Sequence, residues 1–374
     1  MALATPSAPA SARPARTSAP TVAVVGVTGA VGQEFLAVLE QRSFPYRSMK
    51  MLASARSAGK TVSFKGQDHT VEELTETSFK GVDIALFSAG GSISKKFGPI
   101  AVEAGAIVVD NSSAFRQTPG VPLVVPEVNP DAITKAGIAL GKKAGIIANP
   151  NCSTIIALVP VTPLHRAAGV ERMVVSTYQA ASGAGYAAMM ELEEQTRDAL
   201  EGRPVTPKLF KQQYAFNLFS HNSGMGPNGY NEEEMKLIHE THKIWGYFDG
   251  TGSGVAVDPF DLPGAPRIAA TCVRVPVMRA HAESICLTFS RPVSEDEARD
   301  ILRAAPGVSL QDDRENNLFP TPLDASGKDD VYVGRIRKDL SQPGGRGLHL
   351  FIAGDQLRKG AALNAVQIAE LLLQ

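Results

Sequence analysis

The chain has 374 residues, of which 44% are hydrophobic and 20% are charged. This length is about twice the ~100–200 residues of a typical domain, so two domains of an ordinary soluble globular protein are expected. The formal net charge of −1 gives no electrostatic reason to expect nucleic acid or an anionic membrane as a partner. A small ligand or another protein chain is expected instead.

The chain contains three cysteines, Cys152, Cys272 and Cys286, and no run of about 18 apolar residues. The cysteines show neither a CxxC pair nor a Cys/His ligand spacing, so neither a metal site nor a disulfide framework is expected. This cysteine usage is typical of a reducing compartment, in which one thiol can be catalytic. No membrane-spanning segment is expected.

The first 20 residues differ from the rest of the chain. They contain seven Ala, four Pro, three Ser, two Thr and two Arg, and the first acidic residue is Glu34. A basic, acid-free segment of this kind resembles part of an organellar transit peptide. Residues 1–20 are therefore predicted to be a disordered tail or a transit-peptide remnant, with a plastid location in the second case and a cytoplasmic one otherwise.

The next part of the chain, residues 21–149, alternates between buried strands and helices. This alternation is the signature of a parallel sheet with crossover helices, and it predicts a Rossmann-type dinucleotide-binding domain. The predicted strands are Thr21–Val25, Met49–Ala53, Asp83–Phe87 and Ile107–Val109, and the predicted helices are Val31–Gln41 and a stretch near Lys95–Ala104.

Residues 150–354 have a different pattern, which predicts an α+β catalytic and dimerisation domain on an open, mostly antiparallel sheet. Gly246–Pro266 is predicted to be a surface loop, and the C-terminal helix Ala361–Leu373, within residues 355–374, to complete the first domain. The predicted helices are Ser153–Ala168, Tyr186–Leu200 and Asn231–Trp245, and the predicted strands are Arg172–Ala180, Ile268–Val277 and Ser284–Phe289.

A glycine-rich segment, Gly26 to Gly32, joins the first strand to the first helix with the spacing GxxGxxG. Glycine lets the backbone approach a pyrophosphate, and the helix N-terminus offers free N–H groups and a partial positive charge. The segment is a variant of the dinucleotide-binding fingerprint. A tight turn without a ligand is the alternative.

The end of the second strand indicates which dinucleotide is bound. An NAD enzyme usually places an acidic residue there to bind the ribose 2′-hydroxyl, whereas residues 53–60 contain no acid. Arg56 and the Ser57 hydroxyl would instead bind a 2′-phosphate. The sequence therefore favours NADP(H), with a basic surface loop as the alternative. Ser88, after another strand, either lines the cofactor or belongs to a plain turn.

Cys152 lies at a junction between strand and helix, directly after Asn151. A helix N-terminus stabilises a thiolate and lowers the pKa of the cysteine. Asn151 and the free N–H groups would form an oxyanion hole. Isolated cysteines are more often small buried side chains, which is the interpretation kept for Cys272 and Cys286. Cys152 is therefore the candidate nucleophile.

A cysteine nucleophile needs a group that transfers its proton. Among seven histidines, His281 follows a predicted strand that carries Arg274. This strand would direct Arg274 towards an anionic substrate, and the turn after it would bring His281 to the thiol. On their own, the two residues are a weak signal, and a surface arginine and a structural histidine would be the default interpretation.

Six short motifs occur in order along the chain, and together they resemble the aspartate-semialdehyde dehydrogenases. The resemblance runs from about Thr21 to the C-terminus and is strongest to the plant-type enzymes of that family. Only the N-terminal tail and Gly246–Pro266 depart from the family pattern. The motifs are Gly26–Gly32, Asp110–Arg116, Asn149–Thr154, Gln179–Gly183, Glu233–Lys236 and Arg274–His281.

The resemblance implies catalytic roles for four residues. Cys152 would form an acyl-thioester, with Asn151 beside it, and His281 would act as acid and base. Gln179 would orient the substrate near the thioester. The implied reaction is the NADPH-dependent reductive dephosphorylation of L-aspartyl 4-phosphate to L-aspartate 4-semialdehyde, in the biosynthesis of Lys, Thr, Met and Ile.

The resemblance also implies binding roles. Arg274 would pair with the substrate carboxylate and Glu233 with its amino group, and Arg116 and Lys236 would hold phosphate. Glu233 and Lys236 share one face of a predicted helix, which suits the opposite charges of one small molecule; a solvated ion pair is the alternative. The residues expected to contact NADP(H) are Gly26, Thr28, Gly29, Ala30, Val31, Arg56, Ser57, Ser88, Ser182, Gly183 and Gln356.

Two other functions are kept as alternatives. One is a reductase of similar architecture for N-acetylglutamyl phosphate or glyceraldehyde phosphate. The presence of both Arg274 and Glu233 favours a free amino acid instead, because an N-acetylated substrate has no cationic amine for Glu233 to bind. The other is a non-catalytic dinucleotide-binding regulator, in which Cys152 would react with an alkylating reagent no faster than Cys272 or Cys286. Family members usually dimerise through the second domain, so a homodimer or homotetramer is expected.

Overall fold

The computed structural model describes residues 19–247 and 262–374. They form two large sheets with helices packed against them, and a small hairpin. Most of the predicted tail (1–20) and most of the predicted loop Gly246–Pro266 lie outside the described residues. None of the helices in the two described stretches is long and apolar enough to cross a lipid bilayer.

The first sheet has six parallel strands in the order β5-β2-β1-β6-β7-β8. Its central strands are buried along their whole length because helices cover both faces. The strand order reverses beside β1, and ligands bind α/β sheets at such a switch point. The strands are β1 (Thr21–Val25), β2 (Ser48–Ala53), β5 (Glu72–Glu73), β6 (Ile84–Phe87), β7 (Ile107–Asp110) and β8 (Ile146–Ala148), and the hairpin is β3 (Thr61–Phe64) with β4 (Gln67–Thr70).

Helices from both ends of the chain cover this sheet. On one face, α1 (Ala30–Gln41) and α9 (Leu363–Leu371) bury Phe35 and Val366 in a shared apolar cluster. On the other face, α2 (Gly91–Glu103) buries Phe97. The short helix α3 spans Ala132–Lys135. The predicted Rossmann-type α/β architecture is confirmed.

The second sheet has seven strands in the order β10-β11-β9-β12-β15-β14-β13. Four of its six strand pairings are antiparallel and two are parallel, so the prediction of a mostly antiparallel sheet is confirmed. The strands are β9 (Val170–Gln179), β10 (Phe219–Ser220), β11 (Arg267–Arg274), β12 (His281–Phe289), β13 (Val308–Leu310), β14 (Val331–Lys338) and β15 (Gly347–Gly354).

One strand of this sheet differs from its prediction. Ile268–Val277 was expected to pair antiparallel, but β11 ends at Arg274 and runs parallel to β9. Alternating burial reports only that one face is covered and carries no information about strand direction. The long connection from β9 to β11 contains two helices, and this length permits the parallel arrangement.

Three helices cover one face of the second sheet. There α4 (Cys152–Ala168), α6 (Glu232–Ile244) and α7 (Glu295–Arg303) pack on the sheet and enclose the largest apolar core. The other face is called the outer face below. The short helical segment Pro322–Ala325 packs on part of it through Ala325, and Tyr178 and Phe351 lie on it with ring centroids 6.2 Å apart. The remaining helices are α5 (Tyr186–Leu200) and α8 (Pro322–Ala325).

The two sheets are joined by two chain segments. The first runs from β8 into α4, and the second from β15 through a π-helical turn, Arg358–Ala362, into α9. Because of this turn, α9 begins two residues after Ala361, where the helix was predicted to begin. The domain boundaries at 149/150 and 354/355 remain predictions.

Candidate active site

The glycine-rich segment forms a close-packed turn at the N-terminus of α1. Gly26 has a φ of 84°, and a Cβ there would lie 2.3 Å from the backbone oxygen of Ser88. A Cβ at Gly32 would lie 2.2 Å from the Gly26 oxygen. The helix is capped by Gly29, which has no side chain to bind the first-turn N–H groups. These exposed N–H groups and the absence of Cβ atoms suit a pyrophosphate.

The turn after β2 lies beside this segment. Thr28 Oγ1 donates to Ser57 Oγ at 3.4 Å, Ser57 is buried and Arg56 is exposed. The structure also shows a feature that the sequence interpretation missed. Strand β5 pairs with the end of β2 and brings Glu72 and Glu73, both exposed, beside it. Acidic groups are therefore near the end of β2, although residues 53–60 contain none.

Cys152 is the first residue of α4 and lines a cavity of about 430 Å³. The preceding residue, Asn151, caps the helix because its Oδ1 accepts from the backbone N–H groups of Ser153 and Thr154, at 3.0 and 3.4 Å. A Cβ at Gly360, in the π-helical turn, would lie 2.9 Å from the Cys152 Cβ. The second connection between the sheets therefore packs directly on the candidate nucleophile.

The electrostatic environment of Cys152 differs from the expectation. Burial, and next the Glu233 carboxylate, raise the pKa of the thiol to about 12 against the opposing charges of Arg274 and Arg116. The positive end of α4 does not offset these effects, so the thiol is protonated at neutral pH. Reactivity with an alkylating reagent is therefore a poor test of whether this cysteine is catalytic.

Glu233 connects the elements around the cavity. Its Oε1 accepts from Asn151 Nδ2 at 2.8 Å and from Gln179 Nε2 at 3.0 Å, and its Oε2 accepts from Lys236 Nζ at 3.1 Å. The amide of Asn151, expected to act in an oxyanion hole, is thus engaged with Glu233. The Glu233–Lys236 pair lines the cavity, so the alternative interpretation of a solvated surface ion pair is wrong.

Several groups keep Glu233 ionised. Burial favours its protonation, but the charges of His221 and Lys236 and the amides of Asn151 and Gln179 outweigh burial and hold its pKa well below the usual range. Burial, with the charge of Arg274, lowers the pKa of His221 to about 4. At neutral pH, Lys236 and the two amides therefore stabilise the Glu233 carboxylate, and the cavity keeps one buried negative charge.

Arg116 is buried in the lining of the same cavity, where its guanidinium donates to three acceptors. These are the backbone oxygens of Asn149, at 2.9 Å, and Asn111, at 3.0 Å, and Glu240 Oε1, at 3.1 Å. Glu240 Oε2 also accepts from the Asn151 backbone N–H at 2.6 Å. Glu240, which the sequence interpretation missed, therefore fixes Arg116 relative to the start of α4.

Arg274, the last residue of β11, is held at the cavity by three bonds. Its Nε donates to Asn222 Oδ1 at 3.0 Å, its Nη1 to the Ala180 oxygen at 3.1 Å and its Nη2 to His221 Nε2 at 2.8 Å. His221 and Asn222 also line the cavity, and neither was selected from the sequence. His221 lies 53 residues from Arg274 in the chain, so no local motif indicates the contact.

His281 is fully buried at the start of β12. Its Nδ1 accepts from the Ala180 N–H at 3.0 Å, while its Nε2 has no hydrogen-bond partner among the described residues. Burial, and next the charge of Arg274, lower its pKa to about 3. Gly183, which lines the cavity, packs on the imidazole so closely that a Cβ there would lie 2.9 Å from Nε2.

No hydrogen bond within residues 19–247 and 262–374 joins the Cys152 thiol to His281. The remaining predicted cofactor residues divide into two groups. Val31, Ser182, Gly183 and Gln356 line the same cavity as Cys152, and the Gln356 amide donates to Ser182. The others do not line this cavity, and they are Gly26, Thr28, Gly29, Ala30, Arg56, Ser57 and Ser88.

Comparison with known proteins gives two family profiles that together cover most of the chain. Residues 21–136 match "Semialdehyde dehydrogenase, NAD binding domain", and residues 161–359 match "Semialdehyde dehydrogenase, dimerisation domain". The chain is 50% identical over 353 residues to the aspartate-semialdehyde dehydrogenase of Synechocystis sp., covering 94% of this chain and 97% of that one. It is 48% identical to that of Aquifex aeolicus, covering 94% and 98%.

Solved structures give the same result. The chain is similar to aspartate semialdehyde dehydrogenase II of Vibrio cholerae, with a TM-score of 0.86, 45% identity and coverage of 95% of this chain and 98% of that one. The same enzyme has been solved in complex with ASA, at 44% identity. A structure from Candida albicans with NADP has a TM-score of 0.70 and 27% identity, and the alignment covers 95% and 98%.

Proposed function

Because the chain belongs to the aspartate-semialdehyde dehydrogenase family, we propose that it catalyses the NADPH-dependent conversion of L-aspartyl 4-phosphate to L-aspartate 4-semialdehyde. One arrangement carries the proposal. Cys152 opens into a cavity whose walls place an ionised carboxylate, Glu233, and two arginines, Arg116 and Arg274, around the thiol. A small substrate with one ammonium and two anionic ends matches these charges.

The substrate would bind through its charges. Arg274 would hold the α-carboxylate, because a guanidinium already fixed by three hydrogen bonds loses little freedom on binding. Glu233 would take the ammonium, which an N-acetylated substrate lacks. Lys236 and Arg116 would receive the phosphate. This assignment separates the proposed substrate from N-acetylglutamyl phosphate.

The reaction would proceed through Cys152. Its sulfur attacks the acyl carbon, the tetrahedral oxyanion collapses, and phosphate leaves with the electron pair of the broken C–O bond. Because the thiol is protonated in the free protein, its proton must pass to a base as the C–S bond forms. We propose His281, which is uncharged at neutral pH, as this base. Because its Nδ1 accepts from the Ala180 N–H, the neutral ring carries its proton on Nε2, so the ring proton must first move to Nδ1, with loss of that hydrogen bond, before Nε2 takes the thiol proton.

His281 would then return the proton to the oxygen that develops on the reduced carbon. As the C–S bond breaks, this hydroxyl proton would pass back through His281 to the departing sulfur, which regenerates the Cys152 thiol and releases the aldehyde. NADPH, when bound, supplies the hydride for this reduction. The close-packed turn at Gly26 and the uncapped N-terminus of α1 fit its pyrophosphate, and Val31, Ser182 and Gln356 would border its reactive end. Gly183 would exclude water between the cavity and the imidazole.

The proposal is tested by the reverse reaction of the purified protein. L-Aspartate semialdehyde with phosphate and NADP should give NADPH, and omission of phosphate should remove the product. N-acetylglutamate semialdehyde and glyceraldehyde 3-phosphate are run in parallel. Turnover of either at a kcat/KM equal to or above that of L-aspartate semialdehyde would replace the proposed substrate.

Arg56 is expected to select the phosphorylated cofactor. Arg56→Ala should raise the KM for NADPH roughly tenfold, because a charge-assisted hydrogen bond contributes about 1.5 kcal/mol or more, and should leave the KM for NADH nearly unchanged. Lys80→Ala, which removes an exposed cation elsewhere in the same half, is the matched control. Equal changes for both dinucleotides would assign the 2′-phosphate to another group.

Arg274 is expected to act through the shape of its guanidinium as well as its charge. Arg274→Lys keeps the charge but cannot reproduce the planar fork, so kcat/KM for L-aspartate semialdehyde should fall roughly 10- to 30-fold, or about 1.5–2 kcal/mol. The same exchange at Arg267, exposed at the other end of β11, is the control. Steady-state kinetics with unchanged kcat/KM for Arg274→Lys would exclude a bidentate contact.

We further propose that two copies associate through the outer face of the second sheet, and that residues 1–20 act as a transit segment. This face carries Tyr178, which is exposed, and Phe351, which is partly buried against the apolar cluster that includes Ala325 of α8. Analytical ultracentrifugation distinguishes a dimer from a tetramer. The relatives compared above are bacterial or fungal, so the resemblance to plant-type enzymes stays a prediction.

A further inference from the structure

The outer face of the second sheet carries a cluster of metal-binding side chains. Cys286 of β12 and His349 of β15 are directly paired across neighbouring strands, and Asp339 follows the end of β14. Sγ of Cys286 lies 3.1 Å from Oδ2 of Asp339, and Nε2 of His349 lies 3.4 Å from Oδ1. One donor atom from each residue lies within 4.8 Å of the other two.

These donors and spacings suit one metal ion in particular. Thiolate, imidazole and carboxylate are together the ligand types that Zn²⁺ prefers, at bond lengths of about 2.0–2.3 Å. Bonds of that length in a tetrahedron separate neighbouring ligand atoms by roughly 3.3–3.8 Å. The observed separations of 3.1 and 3.4 Å therefore need only small side-chain shifts, and water would complete the coordination.

The surrounding turn holds the carboxylate in place. Asp339 is buried, and its Oδ1 accepts from the backbone N–H and the hydroxyl of Ser341, at 2.9 and 2.6 Å. A Cβ at Gly347 would lie 2.7 Å from the Asp339 Cβ, so the turn is packed against this residue. The His349 side chain is 30% exposed in the single chain, so an ion can reach it before two copies associate through the outer face, and in the associated pair the site would lie at or near the contact.

The local charges are compatible with a cation. Burial and the neighbouring Asp339 raise the pKa of the Cys286 thiol to about 11 against the opposing charges of Arg172 and Arg337, so the thiol loses its proton only when a metal ion binds, and the two arginines oppose the ion. The Asp339 carboxylate and the thiolate that forms on binding together supply two negative charges. The thiol proton passes to solvent as the Zn–S bond forms, and no oxidation or reduction takes place.

We infer that Cys286, Asp339 and His349 form a binding site for one Zn²⁺ ion on the outer face of the second sheet. The ion would join β12, β15 and the turn after β14. Cys286 and Asp339 are 53 residues apart in the chain, so short Cys/His spacings in the sequence do not indicate these three ligands. The inference is independent of the proposed reaction.

The test uses the full chain and Co²⁺ or Zn²⁺ alone as the probe. Co²⁺ bound by a thiolate gives a sulfur-to-metal charge-transfer band, and competition with a chromogenic chelator gives the affinity for Zn²⁺. Cys286→Ser and His349→Gln should each weaken Zn²⁺ binding by more than the ~100-fold that loss of a merely orienting partner costs. Cys286→Ser should also abolish the band.

Cys152 is a second thiol that could bind these ions, so Cys152→Ser is measured in parallel. The band should persist in Cys152→Ser and in His69→Gln, a control for loss of an unrelated histidine. Circular dichroism confirms that each variant is folded. A band that is lost in Cys152→Ser and retained in Cys286→Ser, or the absence of any band in the unaltered chain, would overturn the inference.

Discussion

Cys152→Ala is expected to lower phosphate-dependent turnover of L-aspartate semialdehyde by roughly 10⁴-fold or more, as loss of a covalent nucleophile does in other enzymes. The physical reason is that no other thiol borders the cavity. Cys272 is buried within β11 and Cys286 lies on the outer face. NADPH should still bind, because the glycine-rich turn and Arg56 are unchanged, and a fluorescence titration measures this.

The control is Cys286→Ala, which removes a thiol of similar exposure and should retain turnover. Mass spectrometry of the unaltered protein mixed with L-aspartate semialdehyde and NADP, without phosphate, should detect an acyl adduct on the Cys152 peptide. A Cys152→Ala variant with near-normal turnover would exclude the covalent route. Loss of NADPH binding in the same variant would show that the substitution disturbs the fold.

Glu283→Gln is expected to stabilise the protein at neutral and alkaline pH. Glu283 lies in β12 with no exposed surface, and neither carboxylate oxygen has a hydrogen-bond partner in the described part of the chain. Burial raises its pKa well above the usual 4.5. A neutral amide of the same shape removes the cost of a buried acid, which is on the order of 1–3 kcal/mol.

The sign of the pH dependence follows from proton binding. Below about pH 4.5 the acid is protonated in both the folded and the unfolded chain, so it costs little there. As the pH rises, the unfolded chain releases the proton while the folded chain retains it, and stability falls until the folded pKa is passed. The stability gain of Glu283→Gln should therefore be larger at pH 8 than at pH 4.

Urea-induced unfolding at both pH values, at one protein concentration, measures this difference. Glu40→Gln, an exchange of an exposed carboxylate in α1, is the matched control and should change stability little at either pH. A Glu283→Gln variant that is less stable than the unaltered chain at pH 8 would show that the carboxylate has a stabilising partner.

Much of the fold was predictable because its signals are local. The apolar run of β1, the glycines after it and the periodicity of α5 each lie within about 15 residues, and the corresponding elements form where the sequence predicts them. Cys152 was selected for the same reason, since the junction between strand and helix can be recognised from its neighbours. Local patterns therefore predict the four central strands of the first sheet and the start of α4, but not the edge strand β5.

The parts that sequence reasoning missed depend on distant contacts. His221 contributes to the site through its hydrogen bond with Arg274. Glu240 contributes through its hydrogen bond with Arg116, which is 124 residues away in the chain. Burial and then the charge of Glu233, 81 residues along the chain, raise the pKa of Cys152 and reverse the shift predicted from the helix terminus. Burial and long-range charge decide these properties, and neither can be read from a short window of sequence.

The two segments that join the sheets have a mechanical consequence. One crossing begins α4 at Cys152, and the other passes through Gly360, which packs on the same residue. If the two halves rotate when ligands enter or leave, the rotation must occur about an axis through these crossings. The Cys152 sulfur would then stay almost stationary while the walls of the cavity move. Opening the cleft would therefore exchange ligands without changing the position of the sulfur relative to either half.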